Sequence, residues 1–333
     1  MRRAPLLEVR DLAKRFAVRQ PLFDSLRRRP RRAVLAVAGV SFDLQPAETL
    51  GVVGESGCGK STLARCLVRL HEPDAGAIRF EGADALALEG TQRRAYNRRV
   101  QMVFQDPYGS LNPRLTVGTC LAEALSVHGV VPPREVVDRV AHLLDLVHLP
   151  REATTRYPHE FSGGQRQRIG IARALAVEPS VIIADEPVSA LDVSVQAQIV
   201  NLFLELQERL GLSLVFITHD LRLVRHIAHR VAVMYLGRIV EIGPTDALFA
   251  APQHPYTRAL LEAVPRLVPG RRGGEAAVQG ELPSPMAPPP GCPFHPRCPR
   301  AQAVCRVEPP ALEPRGEAWP TACHFAGTSG VAG

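Results

Sequence analysis

The chain has 333 residues, 46% of them hydrophobic and 22% charged, a balance that excludes wholesale disorder and suits one large domain with an appendage, or two domains. Its formal net charge of +7 is not read as a sign of nucleic-acid binding, because the basic residues are dispersed; the one dense run, Arg27-Arg-Arg-Pro-Arg-Arg32, flanks an expected loop and reads as a solvated face or one turned to anionic lipid. No apolar run approaches the ~20 residues of a membrane-spanning helix. The "AVLAVAGV" after the basic run starts too far inside the chain for a secretion signal and leads into Val40, Phe42 and Leu44, which alternate as in a strand.

In chain order, "TLGVVG" (49–54) is the first short β-branched run, and a helix is expected over 60–70. Between them, Gly54-Glu55-Ser56-Gly57-Cys58-Gly59-Lys60-Ser61-Thr62 matches the spacing of a phosphate-binding loop in the strand-to-helix context that such a loop requires. Glycines let successive backbone N–H groups converge on phosphate oxygens, and the following helix turns its N-terminus to the same anion. Lys60 reaches the β- and γ-phosphates as a point charge, the Ser61 hydroxyl ligates Mg²⁺, and Cys58 reads as small filler. A tight turn alone leaves the Lys-Ser pair unexplained.

Further strands are expected at "VQMVF" (100–104), "VIIAD" (181–185) and "LSLVFITH" (212–219), with helices at 135–147, 163–177 and 193–210. This alternation predicts an α/β fold, a mainly parallel sheet covered by helices. The 181–185 strand ends in paired acids: Asp185 is placed to hold Mg²⁺ through water, and Glu186 to polarise a water for attack. A solvated turn is an equal reading of two adjacent carboxylates until the phosphate loop upstream breaks the tie, since both open outside the carboxyl ends of parallel strands.

"FSGGQRQR" (161–168) carries a resemblance. Ser-Gly-Gly-Gln entering a helix about twenty residues before "ADEP" resembles the signature sequence of ATP-binding-cassette ATPases. Gln105 in "VFQDP" resembles that family's Q-loop, "SALD" (189–192) its D-loop with Asp192, His219 in "FITHD" its switch histidine, and Phe16 the aromatic that stacks on adenine. The resemblance implies a phosphate-loop NTPase of the ABC type, with a RecA-like mixed sheet core, a helical subdomain over about 107–176 and an antiparallel β subdomain, together spanning 1–264. It also implies that Gln105 contacts Mg²⁺, that Glu186 is the general base, and that His219 positions the γ-phosphate and water. Ser162, Gly163, Gly164 and Gln165 would serve a partner subunit's nucleotide, so that ATP joins two subunits and hydrolysis releases them.

Longer stretches, among them "VFQDPYGSLNPR" (103–114), "MYLGRIVEIG" (234–243), "HPYTRALLEAVP" (254–265) and "GELPSPMAPPPGCPFHPRC" (280–298), look like the F-type ATPase subunit of bacterial dipeptide and oligopeptide importers. That implies a second ATPase as heterodimer partner, two membrane-spanning permease subunits and an extracytoplasmic solute-binding protein, with this chain peripheral on the cytoplasmic face of the membrane. Importers of nickel or other small solutes share these motifs. A soluble cassette ATPase of DNA repair or translation is disfavoured, because the chain has one compact cassette and no sustained heptads. The insertion "VRQPLFDSLRRRPRR" (18–32) departs from the pattern and distances Phe16 from the next strand.

Beyond about residue 265 Pro and Gly become dense and apolar periodicity fades, so 265–333 reads as a linker and a small cysteine-rich extension without a core of its own. Cys292, Cys298, Cys305 and Cys323 are spaced C-x5-C-x6-C-x17-C. Disulfides are not expected beside cytoplasmic ATP. The spacing is loose for four-thiolate zinc, and members of the resembled group carry a [4Fe–4S] cluster in such a tail. The readings are that cluster, zinc with His295 or His324 as substitute ligands, or free thiols.

Overall fold

A computed structural model describes residues 4–18, 33–263, 281–314 and 319–327. In chain order its strands are β1 (Leu7–Ala17), β2 (Ala33–Leu44), β3 (Thr49–Val53), β4 (Ala75–Phe80), β5 (Ala83–Asp84), β6 (Val100–Val103), β7 (Val181–Asp185), β8 (Ser213–Thr218), β9 (Arg230–Tyr235), β10 (Arg238–Pro244), β11 (Glu313–Pro314) and β12 (Pro320–Thr321). They form two sheets. One is antiparallel in the order β2-β1-β4-β5, and the other runs β11-β12-β10-β9-β3-β8-β7-β6.

Strands β3, β7 and β8 are buried along their whole length, because helices or the other sheet cover both faces. Their pairing is parallel, as is that of β6 with β7 and of β3 with β9. Among the described residues the sheet is antiparallel at three pairings, β9–β10, β10–β12 and β11–β12. Register aligns Val53 with Thr218, Asp185 with Ile217 and Val103 with Ala184, so the carboxyl ends of β3, β6, β7 and β8 open along one edge.

The expected helices occupy Lys60–Leu67, Val136–Leu146, Gly163–Leu175 and Val193–Leu210. A further helix, Val117–Val127, packs with Val136–Leu146 and Gly163–Leu175 around Leu121, Leu125, Leu143, Leu144 and Ile169, and this core runs on to Phe203 and Phe216 against the sheet. A second core joins the antiparallel sheet to the phosphate-loop side: Leu7, Val9, Phe42 and Ile78 meet Leu50, Val52, Leu63 and Ile183. Among the described residues no helix is long and apolar enough to cross a membrane.

The end of the chain departs from the sequence-based expectation. Cys292, Phe294 and Cys305 are buried in a third core with Tyr235, Leu248 and Tyr256. The Phe294 ring lies edge-on to that of Tyr235 at 5.3 Å and tilted to that of Tyr256 at 5.4 Å, spacings of attractive aromatic pairs. Thiols of this segment therefore do have apolar surroundings to fill, supplied jointly by the cassette and by tail residues such as Phe294 and Phe325. Trp319 docks on β10 against Gly243, where a Cβ would collide with the indole. Its Nε1 donates to Glu241 Oε1 at 2.8 Å, and the same buried carboxylate accepts from the backbone N–H groups of Gln253 at 2.8 Å and His254 at 3.0 Å.

Candidate nucleotide site

Residues 54–59 leave β3 as a loop that ends where the Lys60–Leu67 helix begins. Two glycines are required by close approach as well as by backbone angle. A Cβ at Gly54 would strike the Met234 carbonyl, and one at Gly59, φ 106°, the Ala36 carbonyl. Lys60 is buried and folds over the loop, its Nζ donating to the carbonyls of Gly54 at 2.8 Å and Glu55 at 3.0 Å. Cys58 is buried beneath, and burial raises its thiol pKa, consistent with filler.

At the neighbouring strand end, Ser61 Oγ donates to Asp185 Oδ1 at 3.0 Å. Burial holds the Asp185 carboxyl above its ordinary value; the Ser61 hydrogen bond opposes this and the adjacent Glu186 charge adds to it. A hydroxyl and a buried carboxylate in contact are hard oxygen donors of the kind Mg²⁺ takes, and Gln105 borders the same cleft. Glu186 adopts a left-handed φ of 45°, uncommon for a residue other than glycine. Its Oε2 lies 3.3 Å from His219 Nδ1 and accepts from Gln105 Nε2 at 3.3 Å.

Part of this set lines one cleft of about 440 Å³, whereas Gly54, Glu55, Asp185 and His219 are not in its lining. Phe16, Ser56–Thr62, Gln105 and Glu186 line it, which is most of the predicted nucleotide set. Phe16 lies edge-on to His71 at 5.2 Å. Of the insertion 18–32, residues 19–32 lie outside the described residues. The lining also includes Val34, Leu35 and Ala36 of β2, the Leu236-Gly237 turn and Pro285, to which no role could be given from sequence.

Comparison with known proteins agrees with this geometry. The family pattern described as ABC transporter matches residues 37–189, and that of the oligopeptide/dipeptide transporter C-terminal region matches residues 240–305. A probable peptide ABC transporter ATP-binding protein of Sinorhizobium fredii is 54% identical over 96% of this chain and 89% of its own length. The chain belongs to the ABC transporter ATP-binding proteins. The oligopeptide transport ATP-binding protein AppF of Bacillus subtilis is 50% identical over 96% of the chain and 97% of its own length, and the di/tripeptide transport protein DppF of Pseudomonas aeruginosa 49% over 96% and 98%. A solved dimer of the ATP-binding cassette MJ0796, bound to ADP and phosphate, superposes with a TM-score of 0.62 at 26% identity, covering 72% of this chain and 98% of that one.

In this ABC ATPase the signature residues lie apart from the cleft. Ser162 caps the Gly163–Leu175 helix: its Oγ accepts from Gln165 N at 3.3 Å, while Gln165 Oε1 accepts from Ser162 N at 3.0 Å. Gly164 is needed where the helix meets Val195, whose side chain a Cβ would overlap. Asp192 stands at the N-cap of the Val193–Leu210 helix and makes no side-chain capping bond there. An exposed, pre-capped helix start suits contact with an anion brought by another molecule.

The four C-terminal cysteines line one small cavity of about 10 Å³ together with His254, Phe294, His295 and His324. None of the four forms a disulfide. Burial pushes the Cys292 thiol up to about 11, and the charges of Cys305, Cys323 and Cys298 act in the same direction, a mark of their proximity. Among the described residues no three or more His, Cys, Asp or Glu side chains are arranged to hold a metal ion, so the cage expected from sequence is not formed, the volume being that of about one water. The four thiols border one cavity without converging on a metal position.

One contact had no individual signal in the sequence. Arg297, inside "GCPFHPRC", makes a two-pronged ion pair with Glu55 of the phosphate loop at 2.8 and 3.0 Å, across 242 positions of sequence.

Proposed function

We propose that the cleft binds Mg-ATP and hydrolyses it when two cassettes close on one another, energising import of di- or oligopeptides. The observation that carries this reading is the convergence of Lys60, Ser61, Gln105 and Glu186 on one cleft at the carboxyl edge of the parallel strands. Lys60 neutralises the β- and γ-phosphates, and backbone N–H groups of Gly54–Thr62 cradle them. Ser61, Gln105 and Asp185 hold Mg²⁺, which neutralises charge on the phosphate oxygens. Glu186 takes the proton of the attacking water, His219 orients it, and Phe16 stacks on the adenine. Ser162, Gly163, Gly164 and Gln165 close over the partner's nucleotide, with Asp192 at the seam between subunits.

The peptide assignment follows the relatives, whose names specify peptide, oligopeptide or di/tripeptide transport. The nickel and soluble-enzyme alternatives find no support in those names. Within the importer, the chain pairs with a second, different ATPase and with two permease subunits, and an extracytoplasmic binding protein delivers the solute. It sits peripherally on the cytoplasmic face of the membrane. Residues 1–264 form the nucleotide-binding domain, with a helical subdomain at about 107–176, and 265–333 the C-terminal region. Lys60→Ala is expected to weaken Mg-ATP binding to the full chain by at least ~100-fold, as loss of a desolvated charge–phosphate contact does. Titration with a fluorescent ATP analogue measures this, and wild-type affinity in the variant would refute the site.

The cysteine cavity is proposed to hold a [4Fe–4S] cluster on Cys292, Cys298, Cys305 and Cys323, with zinc as the second reading. Support comes from the shared cavity lining; binding requires the cavity to open beyond its present volume. Such a group would staple the segment to the third core. Protein purified without oxygen should carry about four irons and four sulfides per chain. Stoichiometric zinc with no iron, or iron unchanged by serine at all four positions, counts against the cluster.

A further inference from the structure

The structure assigns a role in ATP binding to Arg297: it is a positioning residue that fixes the phosphate-binding loop through Glu55. This rests on the reading of the cleft as a nucleotide site. Glu55 is the second residue of the loop, and three groups hold it. Its backbone N–H donates to Tyr256 Oη at 3.0 Å, its carbonyl accepts from Lys60 Nζ at 3.0 Å, and its carboxylate takes both prongs of Arg297. The first and third anchors come from outside the loop, from the Pro255–Glu262 helix and the C-terminal segment.

A planar guanidinium on a carboxylate fixes orientation as well as distance. The Arg297 side chain is only 6% exposed and that of Glu55 26%, so water screens the pair weakly. Arg297 is itself held: its guanidinium lies 5.9 Å from the Tyr235 ring centroid, and its backbone N–H donates to the Phe294 carbonyl at 3.0 Å. Phe294 is wedged between Tyr235 and Tyr256. A rotation of the Glu55 peptide would redirect the N–H groups that follow it in the loop, which are those that meet phosphate. The same segment also reaches the cleft through Pro285, which lines it and whose carbonyl accepts from Leu35 N. The C-terminal region therefore braces the nucleotide site at two points.

The test uses the full chain and its assembled complex, with ATP as the probe. Arg297→Ala and Glu55→Gln are each expected to raise the ATP Kd and KM about tenfold while kcat at saturation changes less than about twofold. The double variant should be no worse than either single one, and Arg297→Lys should recover part of the loss. A merely structural role for Arg297 would lower thermal stability and kcat without moving KM, and Glu55→Gln would not reproduce it. Should Arg297→Ala fail to fold, Glu55→Gln probes the same pair from the loop side. Unchanged KM in Glu55→Gln, in an assay where Lys60→Ala loses binding, overturns the role of Arg297 and leaves the nucleotide site standing. Full binding by Lys60→Ala overturns both.

Discussion

Glu186→Gln should abolish turnover, by at least ~100-fold in phosphate release from the assembled complex, while leaving ATP binding intact. The carboxylate is aimed by Gln105 Nε2 and His219 Nδ1, both 3.3 Å from Oε2, at the mouth of the cleft that Lys60 and Ser61 also line. Glutamine keeps the shape and an acceptor oxygen but has no basic site for the proton of water. Binding energy from phosphate loop and signature helix is untouched, so the closed pair should accumulate with ATP trapped and be visible by size. Activity within about threefold of wild type would show that another group is the base.

The second large effect concerns stability. Glu241→Ala should lower unfolding free energy by on the order of 4 kcal/mol, since three donors lose one buried acceptor and each orphan costs about 1–3 kcal/mol. The donors are the N–H groups of Gln253 and His254 and the Trp319 indole, so the carboxylate ties β10, the approach to the Pro255–Glu262 helix and the end of the chain into one knot. Glu241→Gln should cost less, because its amide oxygen still accepts. Chemical denaturation followed by Trp319 fluorescence reports both the total and the release of the tail; this is the one tryptophan of the sequence. A loss below about 1 kcal/mol for the alanine variant would mean that the donors find other partners.

What could be read from sequence was what is local. The phosphate loop spans nine consecutive residues, its glycines dictated by backbone geometry, and β3, β7 and β8 are short apolar runs whose type follows from burial on both faces. Glu186 was marked by its place after such a run, and His219 by its resemblance to the family's switch histidine. The missed features are non-local. Val34, Pro285 and Gly237 border the cleft because distant segments meet there. Arg297 looks like any basic residue between prolines and cysteines until tertiary packing sets it against Glu55. The tail lacks periodicity for a related reason: its apolar residues fill gaps between tyrosines of the cassette one at a time, as Phe294 does, and form no regular face.

The short hairpin β11–β12 has a consequence for solubility. Without it β10 would be the border of the eight-stranded sheet, with the Val240 carbonyl and the Glu241 backbone open to any strand that came alongside. Instead Ala322 N donates to Val240 O at 2.8 Å, and Thr321 pairs with Glu241. Proline at 314, in the outermost strand β11, then makes the new border a poor template, since proline brings no N–H to offer a newcomer. The final segment thus serves as a selvedge: it finishes the sheet so that neighbouring cassettes do not zip together through their backbones.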